Sequence, residues 1–189
     1  YSPQSLTWSS DGAKIYFTAD VRAKRRLCVV DVASRAVEIL GSDTDGSISI
    51  HGEINGGLLV SRSSFNAPPE LYRCDRGGKH LEQLTYFNKE NLAAVDLGVA
   101  EDISFRNPRP GRESPDGADV QAYLMKPARF DAREKYPLAV VIHGGPQGSI
   151  GDSWHYRWNL QSYASAGFAV LAVNFRGSTG MGHAYCRDI

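Results

Sequence analysis

Two apolar, β-branched runs stand out in the hydropathy pattern: Leu138-Ala-Val-Val-Ile142 and Phe168-Ala-Val-Leu-Ala-Val-Asn174. Neither alternates, and an unbroken run of this length is what a strand buried on both faces looks like. Between them, Asn159–Ala166 is short and moderately amphipathic, and Gly167 follows as a C-terminal helix stop. Strand, helix and strand in this order predict a parallel crossover unit with helices covering the sheet. Each run ends in a glycine-bearing turn, His143-Gly144-Gly145-Pro146 and Arg176-Gly177-Ser178-Thr179. Such turns lie beyond the carboxyl ends of the strands, where sheets of this kind do chemistry.

Upstream, 102–106 and 119–126 read as an antiparallel pair, the second stopped by Pro127. The stretch 107–117 between them is rich in Pro, Gly and charge and reads as a loop, and 131–135 reads as a charged surface turn. Residues 180–189 begin a further helix.

The first hundred residues have a different rhythm. Shifted by 44 positions, the chain meets itself without a gap: Gly12 falls on Gly56, Leu27 on Leu71, Asp31 on Asp75, Glu38 on Glu82 and Leu40 on Leu84. Short runs such as Ile15-Tyr-Phe-Thr18 and Leu27-Cys-Val-Val30 favour strands, and Ser10-Asp-Gly12 and Asn55-Gly-Gly57 are turn signals. A period of about 40–45 residues filled with short strands is the spacing of propeller blades. Two blades do not close a propeller, which takes about four to eight. The expectation is therefore the last two blades of a longer array. Within them, the basic cluster Arg22–Arg26 reads as a solvated hairpin in preference to an anion or partner site, and 63–69 as a longer Pro-containing connection whose Phe65 packs over its own blade in preference to facing a substrate cavity.

Composition narrows the function. Lys plus Arg equals Asp plus Glu at 21 each, so no net charge points to nucleic acid or to an anionic membrane surface. No apolar run reaches the roughly 20 residues that span a bilayer. Three cysteines, Cys28, Cys74 and Cys186, do not make a disulfide framework, and no Cys/His spacing suggests zinc. No cofactor motif occurs. The chain begins at Tyr1, which reads as a start inside a longer protein.

The candidate chemistry lies in the first glycine turn. In α/β-hydrolases, a His-Gly-Gly loop after the third strand supplies one backbone N–H of the oxyanion hole. Glycine lets the backbone approach a reacting carbonyl and adopt positive φ. Pro146 has no N–H, so the donor is Gly145 or Gly144. Further along, Asp152-Ser-Trp154, Tyr156-Arg-Trp-Asn159, Ala166-Gly-Phe-Ala-Val170 and Asn174-Phe-Arg-Gly-Ser-Thr-Gly180 continue the same block. The block resembles the prolyl oligopeptidase family, nearest the branch of dipeptidyl-peptidase V and the acylaminoacyl-peptidases. Trp8-Ser-Ser-Asp-Gly12 and Pro69-Glu-Leu-Tyr72 resemble blade phrases of the same branch.

The resemblance implies the end of a β-propeller (about two blades, 1–98) followed by the N-terminal part of an α/β-hydrolase domain (99–189). It implies a serine exopeptidase acting on short peptides through a Ser-Asp-His triad. No Gly-x-Ser-x-Gly occurs here, and the fold puts nucleophile, acid and His after the next strand, beyond Ile189. The 189 residues alone are expected to be inactive. His143 precedes every candidate serine of this half, Ser149, Ser153 and Ser178, and reads as orienting its loop rather than as a base. Arg176 reads as a tie from the second turn to a carboxylate, and Trp154, Tyr156 and Trp158 as lining of the cleft between propeller and hydrolase, or as domain packing. Two rivals stay open: another α/β-hydrolase such as an esterase, and a binding protein that has lost the triad.

Overall fold

The computed structural model describes residues 3–41, 45–145 and 147–189. They form three four-stranded sheets. The first holds β1 (Pro3–Trp8), β2 (Lys14–Val21), β3 (Lys24–Asp31) and β4 (Val37–Leu40), antiparallel and in chain order. The second repeats it with β5 (Ser47–Ile54), β6 (Gly57–Ser64), β7 (Ala67–Asp75) and β8 (Glu82–Gln83).

The shift of 44 overlays these sheets strand on strand, and it carries their turn chemistry with it. Gly12 and Gly56 take φ of 70° and 77° in equivalent turns. Asp31 and Asp75 each accept backbone N–H groups of the turn that follows, from Ser34 at 2.8 Å and from Gly77 and Lys79 at 2.9 Å. These bonds hold both carboxyls below their ordinary range. The sheets stack face to face over one core, with Tyr16, Leu27, Val29 and Leu40 from the first against Ile48, Ile50, Leu58 and Val60 from the second. Leu58 and Val60 are fully buried, and burial of side chains of this size is worth about 1.5–3 kcal/mol each.

A short helix α1 (Lys89–Ala93) leads to the third sheet, whose strands are β9 (Val99–Asn107), β10 (Ala118–Lys126), β11 (Leu138–Val141) and β12 (Ala169–Asn174). Their order is β11-β12-β10-β9. β9 and β10 are antiparallel, whereas β11 and β12 run parallel with Leu138 beside Ala169. The crossover between them is α2 (Leu160–Ser165), capped by Asn159, whose Oδ1 accepts from Gln161 N–H at 2.9 Å. Gly167 ends it at φ 89°. α3 (His183–Arg187) follows.

Two readings of the blades change. The connection around Phe65 is a tight turn, with Pro68 and Pro69 inside β7. Phe65 leaves its blade and packs edge-on against Tyr123 of β10, with ring centroids 4.8 Å apart. The basic hairpin is likewise not simply solvated. Its turn residues Arg22 and Ala23 take φ of 47° and 55°, and Ala23 is buried. Arg22 N–H donates to Gly180 O at 2.7 Å, while Ala23 O accepts from Tyr123 Oη at 3.2 Å. Burial raises the Tyr123 phenol, which therefore stays protonated as that donor. Both turns dock on the third sheet because they project from the end of the blades that faces it.

Candidate active site

Parallel pairing brings the ends of β11 and β12 to one rim, so both glycine turns leave the sheet side by side. Their contact is made by side chains. His143 Nδ1 lies 2.8 Å from Gly144 O, and Nε2 lies 2.7 Å from Ser178 Oγ. A carbonyl only accepts, so Nδ1 carries a proton, and in the neutral imidazole Nε2 accepts from the Ser178 hydroxyl. The imidazole also stacks on Phe175, with centroids 4.4 Å apart and planes 10° from parallel.

This is a serine–histidine pair, yet it is not built as a nucleophile and base. Ser178 is fully buried, and the second imidazole nitrogen is engaged by a backbone carbonyl instead of a carboxylate. What the pair does is aim a peptide. No peptide bond among the described residues is cis, so the Gly144 C=O and the Gly145 N–H point in opposite directions. Holding the carbonyl toward His143 turns the Gly145 N–H away from it. Neither the Gly144 nor the Gly145 N–H donates to another described residue.

The glycines divide the work. Gly145 has φ 150°, and a Cβ there would meet Gln147 N at 2.6 Å. Gly144 has open space where a Cβ would stand. Gly148 is constrained as well. A Cβ there would come within 2.8 Å of Gly144 O and 3.2 Å of His143 Nδ1, the two atoms of the loop-closing bond. Pro146 lies outside the described residues.

Asn174 is the other residue that spacing alone does not reveal. It is fully buried at the end of β12. Its side chain accepts from Ile150 N–H at 2.8 Å and donates to Ile150 O at 3.0 Å, and it also donates to Gln121 Oε1 at 2.6 Å. The amide thus imitates one rung of a sheet and clips the far end of the glycine loop to the strand. Thr179 N–H adds a bond to Gly148 O at 2.8 Å.

Among the described residues, Arg176 makes its polar contacts away from the glycine loop. Its Nη1 donates to Arg109 O at 2.8 Å and lies 3.5 Å from Asp188 Oδ2. Asp188 accepts from the Ser114 hydroxyl and from Glu113 N–H, the latter at 2.7 Å. The Ser114 hydroxyl first, then the Glu113 amide and the Arg176 charge, hold its carboxyl below the usual range. The network closes the β9–β10 loop against α3. Tyr185 of α3 donates to Asn174 O at 2.7 Å, and burial pushes its phenol up to about 12.

Two cavities flank the loop. The larger, about 1270 Å³, lies between the blades and the third sheet, with Arg25, Ser49 and His51 on one wall and Gly148, Ser149 and Trp154 on the other. The smaller, about 650 Å³, is bounded by Val140, Ile142, His143, Gly144 and Trp158. The three aromatic candidates therefore separate. Trp154 faces the larger space and Trp158 the smaller, while Tyr156 lines neither and is 76% exposed. Among the described residues, no three His, Cys, Asp or Glu side chains are grouped as metal ligands. Nor, among the described residues, is any helix long and apolar enough to cross a membrane.

Residues 154–189 match the model of the prolyl oligopeptidase family. Over 198 aligned positions the chain is 35% identical to a dipeptidyl-peptidase 5 of Arthroderma otae, covering all of this chain and 25% of that protein. The chain thus spans about a quarter of the length of the curated relatives it matches. The acylaminoacyl peptidase of Pyrococcus horikoshii superposes with a TM-score of 0.76 at 24% identity, over 97% of this chain and 27% of that one. Dipeptidyl peptidase 4 of Porphyromonas gingivalis gives 0.67 at 20% identity, over 97% and 26%. The fold is accordingly the end of a β-propeller, about two blades, followed by the N-terminal part of an α/β-hydrolase domain.

Proposed function

The chain belongs to the prolyl oligopeptidase family, and on that premise we propose that it is the part of a serine peptidase that carries half of the oxyanion hole. The division between blades and peptidase domain falls between Gly98 and Val99. The whole protein cleaves short peptides as a dipeptidyl-peptidase or acylaminoacyl-peptidase, through an acyl-enzyme formed on a serine outside these residues. The observation that carries this reading is the aimed peptide at Gly144–Gly145. Its carbonyl is bonded to His143 Nδ1–H, which leaves the Gly145 N–H free to face developing negative charge. The blade-side cavity is where the peptide chain runs, with Trp154 at its wall.

The test is a set of assays on the full-length protein with a dipeptidyl anilide, an N-acetyl-aminoacyl anilide and an acyl ester. Turnover of one anilide, blocked by a serine-directed phosphonate, supports the reading and selects between the two exopeptidase types. Hydrolysis of the ester alone would move the protein to the esterases. No phosphonate labelling of the full-length protein would leave a binding role.

A further inference from the structure

Asp152 stands where the glycine loop meets the blades. Its Oδ1 accepts from Phe65 N–H at 2.9 Å and its Oδ2 from Gly46 N–H at 3.1 Å. Its own N–H donates to Ala23 O at 3.0 Å. Three separate turns of the two blades, at Ala23, Gly46 and Phe65, converge on this one residue. Next to it, a Cβ on Gly151 would come within 3.1 Å of Ala23 O, so the backbones approach closely at this point. Two residues before it, Ile150 is clipped to Asn174 of β12, and Gly148 O is bonded to Thr179 N–H. The loop is therefore pinned to the third sheet at one end and to the blades at the other, with Gly144 and Gly145 on the same short stretch of chain.

A carboxylate suits this position. It is acceptor-only, and each oxygen takes one N–H from a different turn. Hydrogen bonds to an ionised acceptor are about twice as strong as neutral ones. Neither turn amide is part of a strand ladder, so Asp152 supplies what each would otherwise lack.

The geometry points to Asp152 as a positioning residue that couples the seating of the blades to the aim of the oxyanion loop. This rests on the oxyanion reading of Gly145. The blades then do more than restrict entry, because displacing the turns at Gly46 and Phe65 pulls on the segment that carries the donor.

The experiment uses the full-length protein as wild type, Asp152→Asn and Asp152→Ala. Asn keeps the shape, but its amide group faces one of the two N–H donors. Two readouts are taken together: hydrogen exchange in peptides covering Gly46, Phe65, Ile150 and Thr179, and kcat and KM on the preferred anilide. The expected result for Asp152→Asn is exchange about tenfold faster at Gly46 or Phe65. The same increase spreads to Ile150 and Thr179, and kcat falls about tenfold with KM within about twofold. Faster exchange confined to Gly46 and Phe65, with kcat unchanged, would make Asp152 a tie for the blades alone and overturn the proposal. Unchanged exchange at all four positions would overturn it too. If the wild type turns over no substrate, the exchange pattern still decides the coupling, and only the oxyanion reading is lost.

Discussion

Ser178 Oγ lies 2.7 Å from His143 Nε2 across 35 residues of chain, and the histidine spends its other nitrogen on the carbonyl of Gly144. A pair that looks like a nucleophile and its base is thereby a strut between two turns. Ser178→Ala removes the hydroxyl that donates to Nε2. We expect a loss of about 1 kcal/mol in chemical denaturation. The imidazole 15N shifts should move from a single Nδ1–H tautomer toward a mixture, and unchanged shifts would refute the tautomer assignment.

The two glycines should respond differently to alanine. Gly145→Ala places a Cβ at positive φ against Gln147 N and distorts the turn. In the full-length protein kcat/KM should fall about 100-fold or more, the scale of a lost oxyanion donor. Gly144→Ala meets open space, so the fold should be unaffected while ligand approach is hindered. Near-UV circular dichroism beside the kinetics separates these effects. Equal activity losses with equal structural change would contradict the division.

Asn174→Ala strips three hydrogen bonds from a fully buried residue and strands Ile150 N–H and Gln121 Oε1. Leaving buried polar groups unpaired costs on the order of 2–3 kcal/mol. Urea denaturation should show a loss of this size, and limited proteolysis should cut within 147–151. A loss below about 0.5 kcal/mol would mean that the loop holds itself without the clip.

Acid should loosen the β9–β10 loop. The Asp188 carboxyl titrates below its ordinary 3.8 in the folded chain because the Ser114 hydroxyl, the Glu113 amide and Arg176 favour the ionised form. A depressed folded pKa gives stability that is present above 3.8 and is lost as pH falls through the lower folded value. Between about pH 5 and pH 2, wild type should lose stability more steeply than Asp188→Asn. Parallel slopes for the two would refute this role.

Much of the architecture was readable because it is written locally. The repeat at 44 positions shows in strand bounds, in Gly12 and Gly56 at positive φ, and in Asp31 and Asp75 capping equivalent turns. The crossover unit was readable from two apolar runs, the amphipathic stretch Asn159–Ala166 and Gly167. The solvated reading of the basic hairpin and the placing of Phe65 over its own blade fail for one reason. A turn's polarity describes the turn itself and carries nothing about the surface it meets, and here both turns meet β10 and its neighbours.

What the amino-acid sequence determined by itself is the set of parts: blade strands with their turns, a parallel pair, and a glycine turn able to offer a backbone donor. Each follows from periodicity, β-branching or the φ freedom of glycine, which act over a few residues. Tertiary structure decided how the parts are aimed. His143 with Ser178, Asn174 with Ile150, and Asp152 with Gly46 and Phe65 join positions 24 to 106 residues apart. Such bonds exist only after three sheets have packed, because hydrophobic burial sets which turns come within 3 Å of each other, and only then does a buried polar side chain find its partner.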